Sequence, residues 1–242
     1  MAFKQIVAPS LTDLFIDELE QMILSGQLKI GEKLPTERQL ADEMKVSTAV
    51  INAGIKQLAE RGFLRIAPRK GVFVADYIRN GNMYTMKEIF EHSGLELDPD
   101  LLNPIAEFRR SIELAAVRCA CINRTEASLT ILSELVSLAG KKEEYANIPE
   151  IAFQFHHEVA VASGNIYYPM ITQTFKPIYM MFYKASLSTE SQEHTAQSLK
   201  DILTTIQMKD SVKAEAVINE LIANWLNSYK KKKMKKVKQE DF

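Results

Sequence analysis

The sequence predicts a mainly α-helical protein made of two domains. Residues 1–76 show three helical patterns followed by a β-hairpin, and strand patterns almost vanish after them. The stretch 77–82 is polar and contains a glycine, so we place a linker there. Residues 83–229 carry apolar residues at helical spacing in six to seven segments, which predicts an all-α bundle.

Composition places the chain among ordinary globular proteins. It has 242 residues, of which 46% are hydrophobic, and no run approaches the roughly 20 apolar residues that a membrane span needs. The N-terminus lacks a basic region followed by an apolar run, so we expect no signal peptide and a cytoplasmic location. Cys119 and Cys121 lie two apart in a helical pattern and point away from each other, so we expect two reduced thiols.

Three predicted N-caps mark the starts of the first three helices. Ser10, with Asp13 three residues later, begins the first helix, and Thr36 with Gln39 forms a capping box for the second. Ser47 caps the third helix. These caps satisfy backbone N–H groups that have no partner within a helix, so they fix where each helix begins.

The third helix has two contrasting faces. Its apolar positions follow the spacing i, i+3, i+4, i+7 and predict a buried side made of Ile51, Gly54, Ile55 and Leu58. Thr48, Asn52 and Lys56 lie four apart on the opposite side. A short polar stripe of this kind suits a helix that approaches base edges in the major groove.

A β-hairpin with a basic tip follows the third helix. Phe63–Ile66 and Val72–Val74 have strand composition, and the turn between them carries Arg69, Lys70 and Gly71. Three helices and such a hairpin, in this order, outline a winged helix-turn-helix. The alternative is a helical hairpin and a β-hairpin whose charges are merely solvated. Because the formal net charge is −1, DNA binding would depend on a local positive field.

Several motifs together resemble one family. They are LPTERQLADEM, VSTAVINAGIKQLAERGFL, PRKGVFV and, in the helical half, FHxxxxxASGN with Arg109 and Glu113. The chain resembles the GntR family of bacterial transcription regulators, and more narrowly its FadR subfamily. The resemblance implies a homodimer that binds double-stranded DNA at a near-palindromic operator and a helical domain that binds a small-molecule effector.

The resemblance also implies DNA contacts from the second helix, the recognition helix and the wing. The corresponding residues here are Arg38, Ser47, Thr48, Asn52, Lys56, Arg69, Lys70 and Gly71. The family's two recognition-helix arginines are replaced by Thr48 and Asn52. Because arginine suits guanine and asparagine suits adenine, we hypothesise an operator richer in A·T pairs. The alternative is a helical interaction module whose winged helix no longer binds DNA specifically.

The family's metal site is not matched by this sequence. Most members hold a metal through one Asp and three His, but only His156 matches, while Ala152, Leu199 and Leu221 stand at the other positions. One ligand does not hold a divalent cation tightly, so we expect no metal and no other cofactor. The loss of these ligands suggests an apolar pocket for an acyl-CoA or another organic acid derivative, as in the metal-free branch of the subfamily.

Six residues are candidates for effector binding: Arg109, His156, Asn165, Tyr179, Glu220 and Trp225. For Tyr179 and Trp225, plain core packing is the alternative. An arginine facing a bundle core is costly unless it is paired. Arg109 therefore either meets a buried carboxylate, such as Glu220, or binds an anionic ligand.

Two further expectations concern the rest of the chain. The segment 230–242 carries seven lysines, which predicts a disordered, solvated tail, with non-specific phosphate contact as the alternative. The enzyme class would need a cluster such as His156, His157, Glu158 and His194 to act in catalysis. The sequence has no glycine-rich phosphate loop, HExxH motif or nucleophile elbow, so we expect no enzyme.

Overall fold

The computed structural model describes residues 8–92, 99–187 and 191–240. The chain forms two compact units, Met1–Gly94 and Leu95–Phe242. In the described part of the chain, no helix combines the length and the apolarity that a membrane crossing requires.

The first unit contains the predicted helices and hairpin. Its elements are α1 (Leu11–Leu24), α2 (Glu37–Met44), α3 (Thr48–Glu60), β1 (Leu64–Ala67), β2 (Gly71–Val74), α4 (Tyr77–Asn80) and α5 (Met83–His92). The three predicted caps are confirmed. Ser10 and Thr36 each form a capping box, and the Ser47 hydroxyl accepts a hydrogen bond from the Val50 backbone N–H.

The core of the first unit lies where α1 crosses α3. The predicted buried face of α3 is confirmed, because Ile51, Gly54, Ile55 and Leu58 are its buried residues. Gly54 lets the two helices approach closely: a Cβ atom built there would lie 2.2 Å from Cδ1 of Phe15. The close crossing holds α3 in place, with its other face turned outward.

A third segment extends the β-hairpin. The register of the hairpin pairs Leu64 with Val74 and Ala67 with Gly71. The Gly31 N–H also donates to the Val74 carbonyl at 3.0 Å, and the Leu34 N–H donates to the Val72 carbonyl at 2.9 Å. The link before α2, which has no strand pattern in the sequence, therefore braces β2 from its other side.

The helix α5 belongs to the first unit, although the sequence places the linker before it, at residues 77–82. Asn82 Nδ2 donates to the Glu60 carbonyl at 3.0 Å, and the Thr85 hydroxyl donates to the Arg61 carbonyl. Arg61 also pairs with Glu88, at 3.6 Å between Nη1 and Oε1. These polar side chains bond the end of α3, which is why a polar stretch that resembles a linker packs as part of the unit.

The second unit is an all-α bundle, as predicted. Seven α-helices lie in its described residues: α6 (Pro99–Asn123), α7 (Glu126–Ala139), α8 (Ile148–Ala162), α9 (Tyr167–Thr174), α10 (Lys176–Leu187), α11 (Gln192–Met208) and α12 (Ser211–Glu240). A 3-10 helix, Lys142–Asn147, precedes α8. The helix α8 is buried along most of its length and packs against α6, α7, α9 and α10.

Two predicted helix boundaries are wrong. The expected single kinked helix over 166–184 is two helices, divided at Phe175. Pro177 cannot donate to the carbonyl four residues earlier and its ring collides with that carbonyl, so the helix ends and restarts. The expected disordered tail is instead the continuation of α12 to Glu240. Its lysines are good helix formers, and no glycine or proline interrupts residues 211–240.

Candidate nucleic-acid interface and effector cavity

The outward face of α3 is small and polar. Thr48 and Lys56 are exposed and Asn52 is half-buried. Ala49 and Ala53 are also exposed, so little bulk separates this part of the helix from an incoming molecule. Ser47 is exposed as well, but its hydroxyl is engaged in capping the helix. This face offers a hydrogen-bonding amide, hydroxyl and ammonium group at one-turn intervals, as a groove-reading helix requires.

Two cations flank α3 at the helix-turn-helix. Arg38 is exposed in the first turn of α2, where the sequence predicts it. Lys45 lies in the turn between α2 and α3 with a left-handed backbone, φ 56° and ψ 40°. Lys45 is exposed, and spacing did not single it out because turn residues carry no periodicity.

The wing carries more positive charge than the sequence predicts. Arg69 and Lys70 are exposed at its tip, and Arg69 and Gly71 have left-handed φ values of 63° and 116°. Lys33 lies against the wing, since a Cβ built on Gly71 would be 2.8 Å from Lys33 Cε. Arg65 stacks over the Phe73 ring at 5.0 Å. Lys33 was missed because its segment had no strand pattern that would place it beside the hairpin.

In the second unit, Arg109 is buried and paired, but not with the predicted partner. Its side chain is 2% exposed, and its Nε donates to Oε1 of Glu113, one turn further along α6. Its guanidinium also lies over the rings of Tyr179 and Phe182, at 4.2 Å and 4.3 Å. Glu220, the suggested partner, is exposed on α12. The i, i+4 spacing of Arg109 and Glu113 was the available signal for this pair.

A buried hydrogen-bonded network continues from Glu113. The Tyr179 hydroxyl donates to Glu113 Oε1 at 2.7 Å, and His156 Nδ1 lies 3.2 Å from Oε2. On the other side of its ring, His156 Nε2 lies 2.7 Å from the Tyr183 hydroxyl. Four helix positions on α6, α8 and α10 are thereby joined around one carboxylate.

The network fixes the charge of its members. Burial alone would raise the pKa of Glu113, but Arg109 and then His156 outweigh it and lower that pKa to about 2. Burial, and next the Glu113 carboxylate, raise the pKa of the Tyr179 hydroxyl well above its usual value. Glu113 is therefore ionised and Tyr179 protonated at neutral pH, and the Arg109–Glu113 pair is electrically neutral as a whole.

The sequence predicts no metal at His156, and the surroundings of this residue are relevant to that prediction. Both of its ring nitrogens face protein groups, Glu113 and Tyr183. Ala152 and Leu199 are fully buried apolar residues at two of the family's ligand positions. The described residues contain no group of three or more His, Cys, Asp or Glu side chains that could hold a metal ion.

A cavity of about 150 Å³ opens beside Arg109. It is enclosed by α6, α10, α11 and α12, and is lined by Arg109, Phe182, Tyr183, Ser186, His194, Thr195, Gln197, Ser198, Asp201, Val217, Glu220, Leu221, Asn224 and Trp225. Two of the residues that line this cavity carry buried N–H groups, Arg109 Nη2 and Trp225 Nε1, that have no hydrogen-bond partner among the described residues. Buried donors in this state are costly, so the cavity can gain stability from a ligand that accepts hydrogen bonds.

The cavity is mixed in chemistry, whereas the sequence suggests an apolar pocket. Serine, threonine, asparagine and glutamine side chains line the cavity beside its aromatic and aliphatic residues, because α11 turns a mostly polar face toward it. Of the six candidate effector residues, Arg109, Glu220 and Trp225 line the cavity. His156 and Tyr179 belong to the network around Glu113. Asn165 lies in an exposed turn after α8, where its Oδ1 accepts from the Tyr167 N–H, so it is not part of this site.

Comparison with protein families matches both units. Residues 12–74 match the model described as bacterial regulatory proteins, gntR family, and residues 104–224 match the FCD domain. The chain belongs to the gntR family. Within it, the chain is of the type in which an FCD domain follows the helix-turn-helix.

Two curated bacterial regulators are similar to the chain at 25–29% identity. The fatty acid metabolism regulator protein of Shewanella pealeana is 29% identical over 151 residues, which are 62% of this chain and 61% of that protein. The uncharacterized HTH-type transcriptional regulator YcbG of Bacillus subtilis is 25% identical over 202 residues, 82% of this chain and 81% of that protein. The match to the fatty acid regulator thus spans less than two thirds of its length.

One solved structure shares the fold. It is that of Lar, which controls the expression of the Listeria monocytogenes agr system and mediates virulence. It is similar with a TM-score of 0.64 and 18% identity, over 92% of this chain and 98% of that one. At this identity the likeness shows the shared fold alone.

Proposed function

We propose that this gntR-family protein is a cytoplasmic transcription regulator that binds double-stranded DNA as a homodimer. The observation that carries the proposal is the small, polar, outward face of α3 beside a wing with several cations. Phosphate contacts from Arg38, Arg69 and Lys70 would position the unit, and Thr48 and Asn52 would contact base edges. Two-fold symmetry would require two related half-sites.

A selection from random DNA followed by affinity measurement tests this proposal. We expect enrichment of a near-palindrome whose half-sites contain an adenine read by Asn52. On the selected duplex, Asn52→Ala should lose about ten-fold or more of its preference for the matching base pair, since a bidentate contact is worth about 1–3 kcal/mol. Arg69→Ala should weaken binding to all sequences and lower the salt slope by about one.

Lys87→Ala is the matched control for these variants. Lys87 is a cation on α5 whose Nζ is paired with Glu91 at 2.9 Å. Its other partner, Glu88, pairs with Arg61 at the C-terminal end of α3, away from the outward residues Thr48 and Asn52. We expect this variant to bind like the wild type. If no sequence is enriched, the protein does not bind DNA specifically. That result would favour the alternative of a helical interaction module. Enrichment of G·C-rich half-sites would overturn the adenine hypothesis.

We further propose that the cavity beside Arg109 holds the effector, and that the effector is a small organic acid derivative. The unpartnered Arg109 Nη2 supports this, because a guanidinium is the usual partner of a carboxylate. A cavity of about 150 Å³ is well below the roughly 300–1,000 Å³ of drug-sized sites, so the size favours a small acid over an acyl-CoA.

Fluorescence anisotropy of the operator complex tests the effector proposal. Small carboxylic acids and a long-chain acyl-CoA are added in turn to wild-type protein on labelled operator. We expect a small acid to shift the operator affinity, and a coupling of about 1–3 kcal/mol corresponds to a 5–150-fold change. A change of operator affinity caused by the acyl-CoA, but by none of the small acids, would indicate that the effector is an acyl-CoA.

A further inference from the structure

The cavity has hydrogen-bond donors on its buried side and carboxylates on its exposed side. Arg109 and Trp225, 2% and 4% exposed, present hydrogen-bond donors from the interior. Glu220 and Asp201 line the same cavity from exposed positions on α12 and α11. We propose that the ligand is a small amino acid, with its carboxylate on Arg109 and Trp225 and its ammonium group beside Glu220. This inference rests on the proposed function of the cavity.

The buried side requires an acceptor. A guanidinium nitrogen and an indole N–H can only donate, so neither can be satisfied by a donor group of a ligand. Arg109 donates its Nε to Glu113, and its Nη2 has no hydrogen-bond partner among the described residues. Phe182 packs against both side chains: its ring lies under the Arg109 guanidinium at 4.3 Å and is stacked on Trp225 with an interplanar angle of 7°. Each of these two donors lacks an acceptor, and the carboxylate of a ligand in the cavity would supply one.

The overall charge argues against a simple anion. Glu113 already neutralises Arg109, so a lone carboxylate would meet no net positive charge in that pair. The other acidic groups at the cavity, Asp201 and Glu220, would repel it, and His194 is the remaining imidazole in the lining. A ligand that brings its own ammonium group turns that repulsion into attraction.

Glu220 is the acidic residue best placed to receive the ammonium group. Asp201 is already engaged, since its Oδ1 accepts a hydrogen bond from Gln197 Nε2 at 2.7 Å. Glu220 makes no hydrogen bond or ion pair with any of the described residues. The site therefore has hydrogen-bond donors on its buried side and a free carboxylate on its exposed side. A zwitterion, which carries both a carboxylate and an ammonium group, matches these two ends.

The cavity volume limits the size of the amino acid. An apolar cavity of about 150 Å³ is known to hold a benzene-sized molecule, so about six to eight non-hydrogen atoms fit. Alanine, β-alanine, serine and proline are within this range. A long or aromatic side chain would require the helices to move apart.

Isothermal titration calorimetry of the full-length protein tests the inference with defined probes. The amino acids are L-alanine, β-alanine, L-serine and L-proline, and the truncated analogues are propionate, which lacks the ammonium group, and ethylamine, which lacks the carboxylate. We expect at least one amino acid to bind at least ten-fold more tightly than either analogue. Propionate binding as tightly as the best amino acid, or no binding by any amino acid, would overturn the inference.

Two conservative variants separate the poles of the site. Glu220→Gln should weaken amino acid binding at least ten-fold while leaving propionate unchanged or slightly tighter. Trp225→Phe keeps an aromatic ring but removes the N–H, so it should weaken both ligands. Glu134→Gln, which alters an exposed residue of α7 outside the cavity, is the control and should change neither. Equal amino acid affinity for Glu220→Gln and the wild type would contradict the assigned pole.

The same ligands added to the operator complex distinguish this inference from the proposed function. An amino acid that binds with the expected dependence on Glu220, yet leaves operator affinity unchanged, supports the ligand class and contradicts effector control. A shift of operator affinity by propionate but by none of the amino acids supports effector control and overturns the zwitterion.

Discussion

Arg109 can stay charged in the interior because Glu113 lies one helical turn away and two aromatic rings cover its guanidinium. Burial of two charges is costly, and only good geometry with further hydrogen bonds offsets it. Tyr179 and His156 provide those further contacts to the Glu113 carboxylate. The price of the arrangement is that no member can be lost without leaving a buried polar group uncompensated.

Glu113→Gln should therefore destabilise the protein in a pH-dependent way. The pKa of Glu113 is lowered from 4.5 to about 2, so its ionised form stabilises the fold fully above pH 4.5. That contribution, on the order of 3 kcal/mol, is lost as the pH falls from 4.5 toward 2. Urea unfolding at pH 7, 5 and 3 should show the gap between wild type and variant narrowing at low pH.

Glu126→Gln, at an exposed position in the first turn of α7, is the control for this experiment and should show no such narrowing. A gap between wild type and Glu113→Gln that stays constant from pH 7 to pH 3 would contradict an ionised, buried Glu113. The variant would then be destabilised by packing alone.

At the scale of elements, the crossing of α1 and α3 sets how the polar face of α3 is presented. Gly54→Ala should destabilise the first unit by about 1–3 kcal/mol, because its Cβ would overlap the buried Phe15 ring and overpacking has costs of this size. Thermal unfolding measures the loss. Gly140→Ala, whose Cβ would meet nothing closer than 3.6 Å, should be neutral. Equal melting temperatures for both variants would contradict a tight crossing.

Elements with a strong local signal could be predicted from the sequence, and those set by distant contacts could not. The caps at Ser10, Thr36 and Ser47 and the buried face of α3 depend on residues within a turn or two. The strand-like segment at Lys33 has no such pattern, since its hydrogen bonds come from β2, about 40 residues later. Long-range pairing leaves little trace in a single local window.

Some residues of the candidate cavity could likewise be predicted from the sequence, and others could not. Arg109 was found because a cation on a helix that faces the core is unusual, and Glu220 and Trp225 were found through the resemblance to the family. The polar lining from Thr195 and Ser198 was missed, because single polar residues on a helix are ordinarily solvated. Which of them face inward is decided by the rotation of α11 against α12, and spacing alone does not specify it.

At the scale of the whole molecule, the charge is strongly divided along the chain. Residues 1–229 carry 23 Lys and Arg against 29 Asp and Glu, while 230–242 carry seven Lys against two acidic residues. The near-zero net charge therefore conceals an acidic body and a basic extension of α12. A helix of this composition resembles the basic segments that contact nucleic acid phosphates.

Truncation after Tyr229 should weaken DNA binding and reduce its salt dependence. Each phosphate contact that is lost lowers the slope of log affinity against log salt by about 0.9. Replacing the seven lysines by glutamine is the matched variant that keeps the chain length. Because seven of the thirteen residues after Tyr229 are lysines, which are almost never fully buried, the melting temperature should be unchanged in both. An unchanged slope would mean that the lysines are only solvated.

The contacts between α5 and the end of α3 have a mechanical consequence. Asn82 and Thr85 donate hydrogen bonds to the carbonyls of Glu60 and Arg61 at the end of α3. The Arg61 side chain forms ion pairs with Glu20 and Glu88. The recognition helix is thus clamped at its C-terminal end, while its N-terminal end carries Thr48 and Asn52. A displacement of α5, the last described helix before the second unit, would therefore act directly on the C-terminal end of α3, the helix that carries Thr48 and Asn52.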